Sequence, residues 1–396
     1  MVAVPQRFEM DRRSFLLGAG TLALGQGIAG CGSQDRATLV VQLLKGSIPA
    51  QLVKEFRNLL QQPADLKFAP ATQLQELFTQ LQTWQRQRQK KDDQHSLFSW
   101  PFSEPRSISF PDLVTIGDYW LAQAIQQELI RPLDPAQLRQ WSSLPSRWQQ
   151  LVSRNDLGQP DAQGKVWAAP YRWGTTVIAY NRDKFKSLDW TPNDWSDLWR
   201  PEMRSRISLL DQQREVIGLT LKKLGQSYNT ENLEKVSDLK KELDTLNQQV
   251  KFYSSDTYLQ PLILGDTWLA VGWSTDVLPV IQRYQQIAAV IPQSGTAMWA
   301  DLWVRPSGAR SSTFLGEQWI DFCWQPQIAG QISLLSKATS PIPVTLKAAD
   351  IEERLQSLLL PDPQIFQRSE FLLPLPKATM EQYQSVWQAI RHPASS

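Results

Sequence analysis

Two short segments pair tryptophan with aspartate in otherwise apolar surroundings, Trp273-Ser274-Thr275-Asp276 and Trp299-Ala300-Asp301. An indole face attracts an organic ammonium group through a cation–π contact, and a carboxylate accepts the hydrogen bonds of that group. These residue types together could bind a cationic small molecule. The chain has 17 tryptophans, and we expect most of them to serve packing and only two or three to reach a ligand.

The other reactive side chains argue against catalysis and metal binding. Histidine, the commonest general base and metal ligand, occurs only as His95 in a polar stretch and as His392 near the end of the sequence. No HExxH, CxxC or P-loop pattern occurs. We therefore expect no catalytic residue, no metal site and no cofactor. A secreted hydrolase using two carboxylates remains an alternative, because 39 acidic residues offer many pairs, but none is distinctive.

The apolar pattern predicts that an α/β fold positions these residues, because buried strands alternate with helices along the chain. Strands are expected at residues 38–44, 113–116, 177–180 and 268–273. Helices are expected at residues 48–60, 121–130, 231–246 and 314–335. At 396 residues the chain exceeds the size at which one core usually stops growing, so we expect two lobes.

Two local patterns add detail to this framework. Residues 84–107 are rich in Gln, Arg, Lys and Asp with no sustained apolar period, which predicts a surface insertion. After Asp211 an apolar stripe predicts a helix that ends at Gly225. Glu215 lies near the positive end of that helix and off the stripe, where the helix dipole favours an acid for structural reasons alone.

The first 31 residues have the order of an export signal. Arg12 and Arg13 precede an apolar run at residues 15–28, which resembles a twin-arginine signal. The segment Ile28-Ala29-Gly30-Cys31 resembles a lipobox, whose cysteine carries the lipid. We predict an exported, periplasmic protein that contacts a membrane through this lipid anchor only. If Cys31 is acylated, Cys323 has no partner within the chain, so a disulfide framework is excluded.

The net charge of the chain is close to zero and favours no class of macromolecular partner. Lysine and arginine number 41 against 39 acidic residues, a formal charge of +2. Binding to nucleic acid is therefore not expected.

Several motifs together resemble the periplasmic spermidine/putrescine-binding proteins of bacterial ABC importers, over nearly all of the chain after the leader. Residues 166–176 resemble the "IPY.WG.T" segment of the family's hinge region, and residues 194–202 are similar to its "W.DLW.PE" element. Residues 211–216, residues 222–225, Gly272-Trp273 and residues 299–301 continue the resemblance in the same order.

This resemblance implies a two-lobed periplasmic-binding-protein fold of class II, with a flanked central sheet in each lobe and hinge crossings between them. Residues 1–31 would be the signal, residues 32–178 and 300–345 the first lobe with the insertion 84–107, and residues 179–299 and 346–396 the second. Closure on a ligand lets a membrane partner distinguish loaded from empty protein. The implied partners are a small-molecule ligand, a polyamine or a related amine, and the transmembrane permease subunits of the importer that receive it. Such proteins usually act as monomers and are not enzymes.

The resemblance also implies a cation site in the cleft between the lobes. Asp301 takes the position of a carboxylate on a ligand amine, with Trp299 beside it and Trp273 on the opposing wall. Glu215 matches a second carboxylate that receives an amine, and Tyr119 matches an aromatic residue at the cleft edge.

Four pocket positions depart from the family pattern. Gln212 stands where the family has another aspartate, Leu44 and Lys45 replace a tryptophan and a threonine, and Ser340 replaces a tyrosine. In the cleft, Lys45 would either pair with Glu215 or receive an anionic group of the ligand. Two alternatives to polyamine transport follow: transport of an amino acid derivative or a carboxylate, and a lipoprotein that uses the fold as an assembly or sensory module.

Overall fold

A computed structural model describes residues 36–97, 110–309, 314–343 and 346–392. The signal and lipobox predictions at Arg12, Arg13 and Cys31 lie outside these residues. Among the helices described, none is both long enough and apolar enough to cross a bilayer.

Thirteen strands are present in the described ranges. They are β1 (Ala37–Leu44), β2 (Ala64–Ala71), β3 (Leu113–Gly117), β4 (Ile130–Arg131), β5 (Ser153–Arg154), β6 (Lys165–Val166), β7 (Ala169–Asn181), β8 (Ile207–Leu209), β9 (Val250–Tyr253), β10 (Leu269–Trp273), β11 (Ile287–Val290), β12 (Ala297–Pro306) and β13 (Glu370–Phe371).

Fourteen α-helices accompany them in the same ranges. They are α1 (Ala50–Leu59), α2 (Leu74–Leu97), α3 (Leu121–Gln126), α4 (Ser146–Val152), α5 (Arg182–Phe185), α6 (Gln213–Lys223), α7 (Leu239–Gln249), α8 (Gln260–Leu264), α9 (Ser274–Arg283), α10 (Leu315–Cys323), α11 (Pro326–Ser336), α12 (Glu353–Leu359), α13 (Pro363–Arg368) and α14 (Lys377–Arg391).

A mixed sheet organises these elements, and its main path runs β2-β1-β3-β12-β7-β10-β8-β9. Strand β1 is parallel to β2 and β3, whereas β12 is antiparallel to β3 and β7. Strand β10 is antiparallel to β7 and parallel to β8. The two longest strands, β7 and β12, therefore lie side by side in the middle of the sheet.

Buried apolar side chains form three clusters along this sheet. The first cluster contains β1, β3 and the beginning of β7, where Tyr171 stacks on Trp303 with ring centroids 4.2 Å apart. The second and third clusters are formed by side chains from the end of β7, from β10 and from helices α6, α9 and α12. Strand β7 thus begins in one core and ends in the others. The predicted boundaries of the two lobes remain a prediction.

The α/β prediction is confirmed, with differences in individual elements. The predicted strands at residues 38–44, 113–116 and 268–273 correspond to β1, β3 and β10, and residues 177–180 form the end of a much longer β7. The helix predicted at residues 314–335 is two helices, because Pro326 begins a new one. In α1, Leu52 and Phe56 are buried, but Leu59 is exposed.

The surface insertion predicted at residues 84–107 remains a prediction, but its first part is helical. Helix α2 continues through this stretch as far as Leu97. Its Gln, Arg and Lys residues are good helix formers, and no glycine or proline interrupts them before Pro101, so a helix persists without an apolar stripe. The remainder of the stretch, residues 98–107, lies outside the described ranges.

Candidate functional site

The candidate site is built on one face of β7, β12 and β10. Arg172, Gly174 and Thr176 alternate along β7 and therefore point to the same face. Arg172 is paired with Asp301 and Gly174 with Trp299 on β12, while Thr176 is paired with Trp273 on β10. The register therefore brings together three of the predicted site residues, which are separated in sequence.

Glycine at position 174 is required by the indole that crosses it. A Cβ atom built on Gly174 would lie 2.3 Å from Cζ2 of Trp299 and 2.4 Å from Oγ of Ser274. Any larger residue would push the indole away from the sheet. Trp299 is partly exposed, and its Nε1 has no hydrogen-bond partner among the described residues. The Trp299 ring therefore covers the middle of the site face.

Glu215, in the first turn of α6, is a buried carboxylate held by neutral donors. Oγ1 of Thr176 lies 3.0 Å from each of its oxygens, and Nε1 of Trp273 donates to Oε1 at 3.3 Å. Burial raises the pKa of Glu215 to about 7, although these two donors and the Arg214 guanidinium lower it. Near neutral pH this group is therefore poised to lose a proton when a cation approaches.

Asp301 is also buried, but its carboxylate already has a cationic partner. Nε of Arg172 donates to Oδ2 of Asp301 at 2.5 Å, and the side chains are 6% and 2% exposed. Burial acts against the charge of Arg172, but Asp301 more than offsets it, so the pKa of Arg172 stays above its ordinary value. Glu215 and Asp301 are therefore not equivalent.

Asp276, the acid of the first Trp–Asp segment, helps to position Trp273 through an intermediary. Oη of Tyr258 donates to Oδ2 of Asp276 at 2.9 Å and accepts from the backbone N–H of Trp273 at 3.2 Å. These two hydrogen bonds fix the end of β10 where it meets α9. Trp273 is partly exposed, so its indole can contact both Glu215 and a ligand.

Several predicted site residues lie away from these contacts. Tyr119 is 50% exposed, two residues beyond Gly117, which pairs with Asp301. Gln212 is exposed and caps α6 without a side-chain hydrogen bond. Lys45 is exposed after β1, and within the described part of the chain it forms no ion pair with Glu215. A ligand role for these residues remains a prediction.

Of the other two altered pocket positions, Leu44 is partly buried and Ser340 is buried. The backbone oxygen of Ser340 accepts from Nε1 of Trp173 at 3.1 Å. Ser340 therefore supports Trp173, which lies between Arg172 and Gly174 on β7.

Three polar residues of the site were missed by the sequence analysis: Arg172, Thr176 and Asp118. Oδ1 of Asp118 accepts from the backbone N–H of Ala300 at 2.9 Å. Burial raises the pKa of Asp118 to about 7, and this hydrogen bond and the Arg154 charge oppose the rise. The sequence did contain a signal for Arg172, which is the only charged residue in β7. A buried arginine needs a carboxylate partner, so its position inside an apolar strand predicts an ion pair.

Neither a metal nor a thiol centre is indicated in the described ranges. They contain no group of three or more His, Cys, Asp or Glu side chains that could hold a metal ion. Cys323 is buried in α10, its thiol is free, and burial raises its pKa.

A separate cavity of about 470 Å³ lies beside α1 and α10, and its lining includes Phe56, Gln140 and Asp321. Both oxygens of Asp321 accept backbone N–H groups, those of Arg139 and Gln140, at 3.1 and 3.0 Å. Its carboxylate therefore serves a structural role, and the site face on β7 remains the better candidate.

Comparison with known proteins places the chain among binding proteins. It is 24% identical over 356 residues to the spermidine/putrescine-binding periplasmic protein of Salmonella typhimurium, covering 90% of this chain and 92% of that protein. It is 27% identical over 286 residues to a putrescine-binding periplasmic protein of Escherichia coli, covering 64% and 75%.

The fold agrees with that of solved binding proteins. The spermidine/putrescine ABC transporter substrate-binding protein of Streptococcus pneumoniae superposes with a TM-score of 0.73 at 19% identity, over 90% of this chain and 98% of that one. The predicted periplasmic-binding-protein fold is therefore confirmed. The profile of the bacterial extracellular solute-binding proteins matches residues 109–360, more than half of the sequence. The prediction of a binding protein rather than an enzyme is thereby confirmed, and the chain belongs to the bacterial extracellular solute-binding protein family.

Proposed function

We propose that this protein is the substrate-binding component of an ABC importer and that it captures a polyamine or a related small organic amine. The names of its relatives support this class, since the two reported above bind spermidine or putrescine. The amine would bind in a cleft between two lobes, and the transmembrane subunits of a permease would receive it.

One observation carries the choice of an amine: Glu215 is a buried carboxylate whose hydrogen-bond donors are neutral. An isolated buried carboxylate is costly, and a ligand ammonium would supply the missing charge. The partly exposed indoles of Trp273 and Trp299 lie on the same face and would contact the cation. Charge and aromatic surface thus converge on one end of the site.

The arrangement of the cores supports the two-lobed clamp. Strands β7 and β12 carry the site in their middle portions, while their ends belong to different buried clusters. A ligand bound here would contact both halves of the protein. The lobe boundaries at residues 178/179, 299/300 and 345/346 are part of this proposal.

We extend the proposal to cellular location. The relatives are periplasmic by name, and the twin-arginine-like and lipobox-like segments would direct export and anchoring at Cys31. Metabolic labelling with a radioactive fatty acid would test the anchor, and Cys31→Ala should abolish the label. We propose that the protein acts as a monomer, which sedimentation of the full-length chain would test.

Thermal unfolding of the full-length protein with and without ligands tests the binding function. Spermidine, putrescine, amino acids and organic acids would be compared. An amine at 100 times its dissociation constant should add about 2.7 kcal/mol to the free energy of unfolding. The shift should disappear in Glu215→Ala and persist in Glu202→Ala, which replaces an exposed glutamate. A shift only with carboxylates would point to the alternative ligand class, and no shift with any small molecule would point to an assembly or sensory role.

A further inference from the structure

The ion pair between Arg172 and Asp301 gives the site an internal cation. The pair is nearly inaccessible to solvent, and the backbone oxygen of Ser336 lies 3.4 Å from Nη1 of Arg172. Arg172 and Asp301 are direct neighbours across β7 and β12, so the strand register itself holds them together. Because Oδ2 of Asp301 already accepts from this guanidinium, a ligand ammonium that approached the carboxylate would meet a charge that is already compensated.

The two buried carboxylates lie at opposite ends of the site face. Glu215 contacts Thr176, and Asp301 contacts Arg172, four residues earlier on the same strand. At a strand rise of about 3.3 Å per residue, the backbone positions of these two β7 residues are about 13 Å apart. The indole of Trp299 lies between them. A diamine that used both carboxylates would therefore have to span this indole.

Only the Glu215 end of the face lacks a cation of its own. In the described ranges Glu215 forms no ion pair, and the guanidinium of the adjacent Arg214 is bonded to the backbone oxygens of Leu373 and Tyr228 and to Asn229. Asp301, by contrast, is matched by a guanidinium. When Glu215 is ionised, Glu215, Asp301 and Arg172 together therefore carry the charge of a single carboxylate.

We propose that Arg172 is a fixed internal counter-ion of Asp301, so that the site binds one ammonium group of a small amine and gives no advantage to a second. This inference rests on the proposed function, since it defines the substrate class of the same site. The single ligand ammonium binds at Glu215, and the rest of the ligand extends across Trp299 towards the neutralised pair.

A matched pair of ligands tests this inference. Butylamine and putrescine have the same four-carbon chain and differ in one ammonium group. Their dissociation constants would be measured by calorimetry on the full-length protein. We expect the two values to agree within about threefold, whereas a second ammonium on a buried carboxylate would tighten binding by about tenfold or more.

Variants at the ion pair make the test specific. Arg172→Met frees the Asp301 carboxylate, and the preference for putrescine over butylamine should rise by about tenfold. Asp301→Asn leaves the Arg172 charge without its partner, so the ratio of the two dissociation constants should shift in favour of butylamine. If Arg172→Met does not fold, the wild-type ratio and its response to Asp301→Asn still decide the question.

Two further outcomes would contradict the inference in distinguishable ways. A strong wild-type preference for putrescine that Asp301→Asn abolishes would show that Asp301 meets a ligand ammonium, and it would overturn the inference while leaving the proposed function intact. No binding of either amine, with no effect of Glu215→Gln on any ligand, would overturn the proposed function and the inference together.

Discussion

Ligand affinity is expected to depend on pH through Glu215. Burial raises the pKa of this carboxyl to about 7, while the ligand ammonium remains charged throughout the neutral range. An ammonium binds the ionised carboxylate, so the apparent dissociation constant is the intrinsic value divided by the ionised fraction. That fraction is about one tenth at pH 6 and about nine tenths at pH 8, which predicts binding about tenfold weaker at the lower pH.

Calorimetry in buffers of different ionisation enthalpy measures both consequences. At pH 7 about half of the Glu215 carboxyls carry a proton, so amine binding should release about half a proton per ligand. Glu215→Gln should bind amines more weakly, without proton release and without the tenfold change between pH 6 and pH 8. Equal affinity at the two pH values in the wild-type protein, or wild-type affinity in Glu215→Gln, would refute the reasoning.

The same group should influence the stability of the ligand-free protein. A carboxyl whose pKa is raised on folding keeps its proton longer in the folded state, so it destabilises the protein as pH rises and costs nothing below its unfolded pKa. A rise from 4.5 to about 7 corresponds to about 3 kcal/mol above pH 7. Glu215→Gln should recover a similar amount in urea unfolding at pH 8 and little at pH 4. The absence of any difference at pH 8 would contradict the assignment.

Three further predictions concern the supporting residues. Gly174→Ala should displace the Trp299 indole and weaken amine binding by about tenfold or more, as calorimetry would show; unchanged affinity would mean that the indole does not contact the ligand. Thr176→Val removes a donor to Glu215, so the pH midpoint of binding should move up by about one unit; an unmoved midpoint would contradict the role of that hydroxyl. Arg172→Met leaves a buried carboxylate without its partner and should lower the free energy of unfolding by about 3–5 kcal/mol in urea titration; a loss below 1 kcal/mol would show that the pair is open to water.

The general fold followed from the sequence, but the extent of some elements did not. Apolar runs located β1, β3 and β10 within a residue or two, because those strands are buried and continuous. Strand β7 was longer than predicted, since polar residues such as Thr175 and Thr176 obscure its apolar run. The second half of helix α2 was missed because it has no apolar stripe, whereas Leu77, Phe78 and Leu81 in the first half are buried, and helix propensity extends the helix beyond them.

The site was only partly predictable for a different reason. The resemblance led to Glu215, Trp273, Trp299 and Asp301, but it gave no indication that Asp301 is already paired. That contact joins residues 129 apart in sequence and depends on the register of β7 against β12. A lone charge inside an apolar strand predicts a partner, but only the sheet topology shows which carboxylate it meets.

The most direct test of the account is a crystal structure of the protein with its tightest-binding amine. We predict that an ammonium nitrogen lies about 3 Å from an oxygen of Glu215, flanked by Trp273 and Trp299, with the pair of Arg172 and Asp301 intact. An amine bound elsewhere, or one whose ammonium contacts Asp301 in place of Arg172, would contradict the assignment of this site.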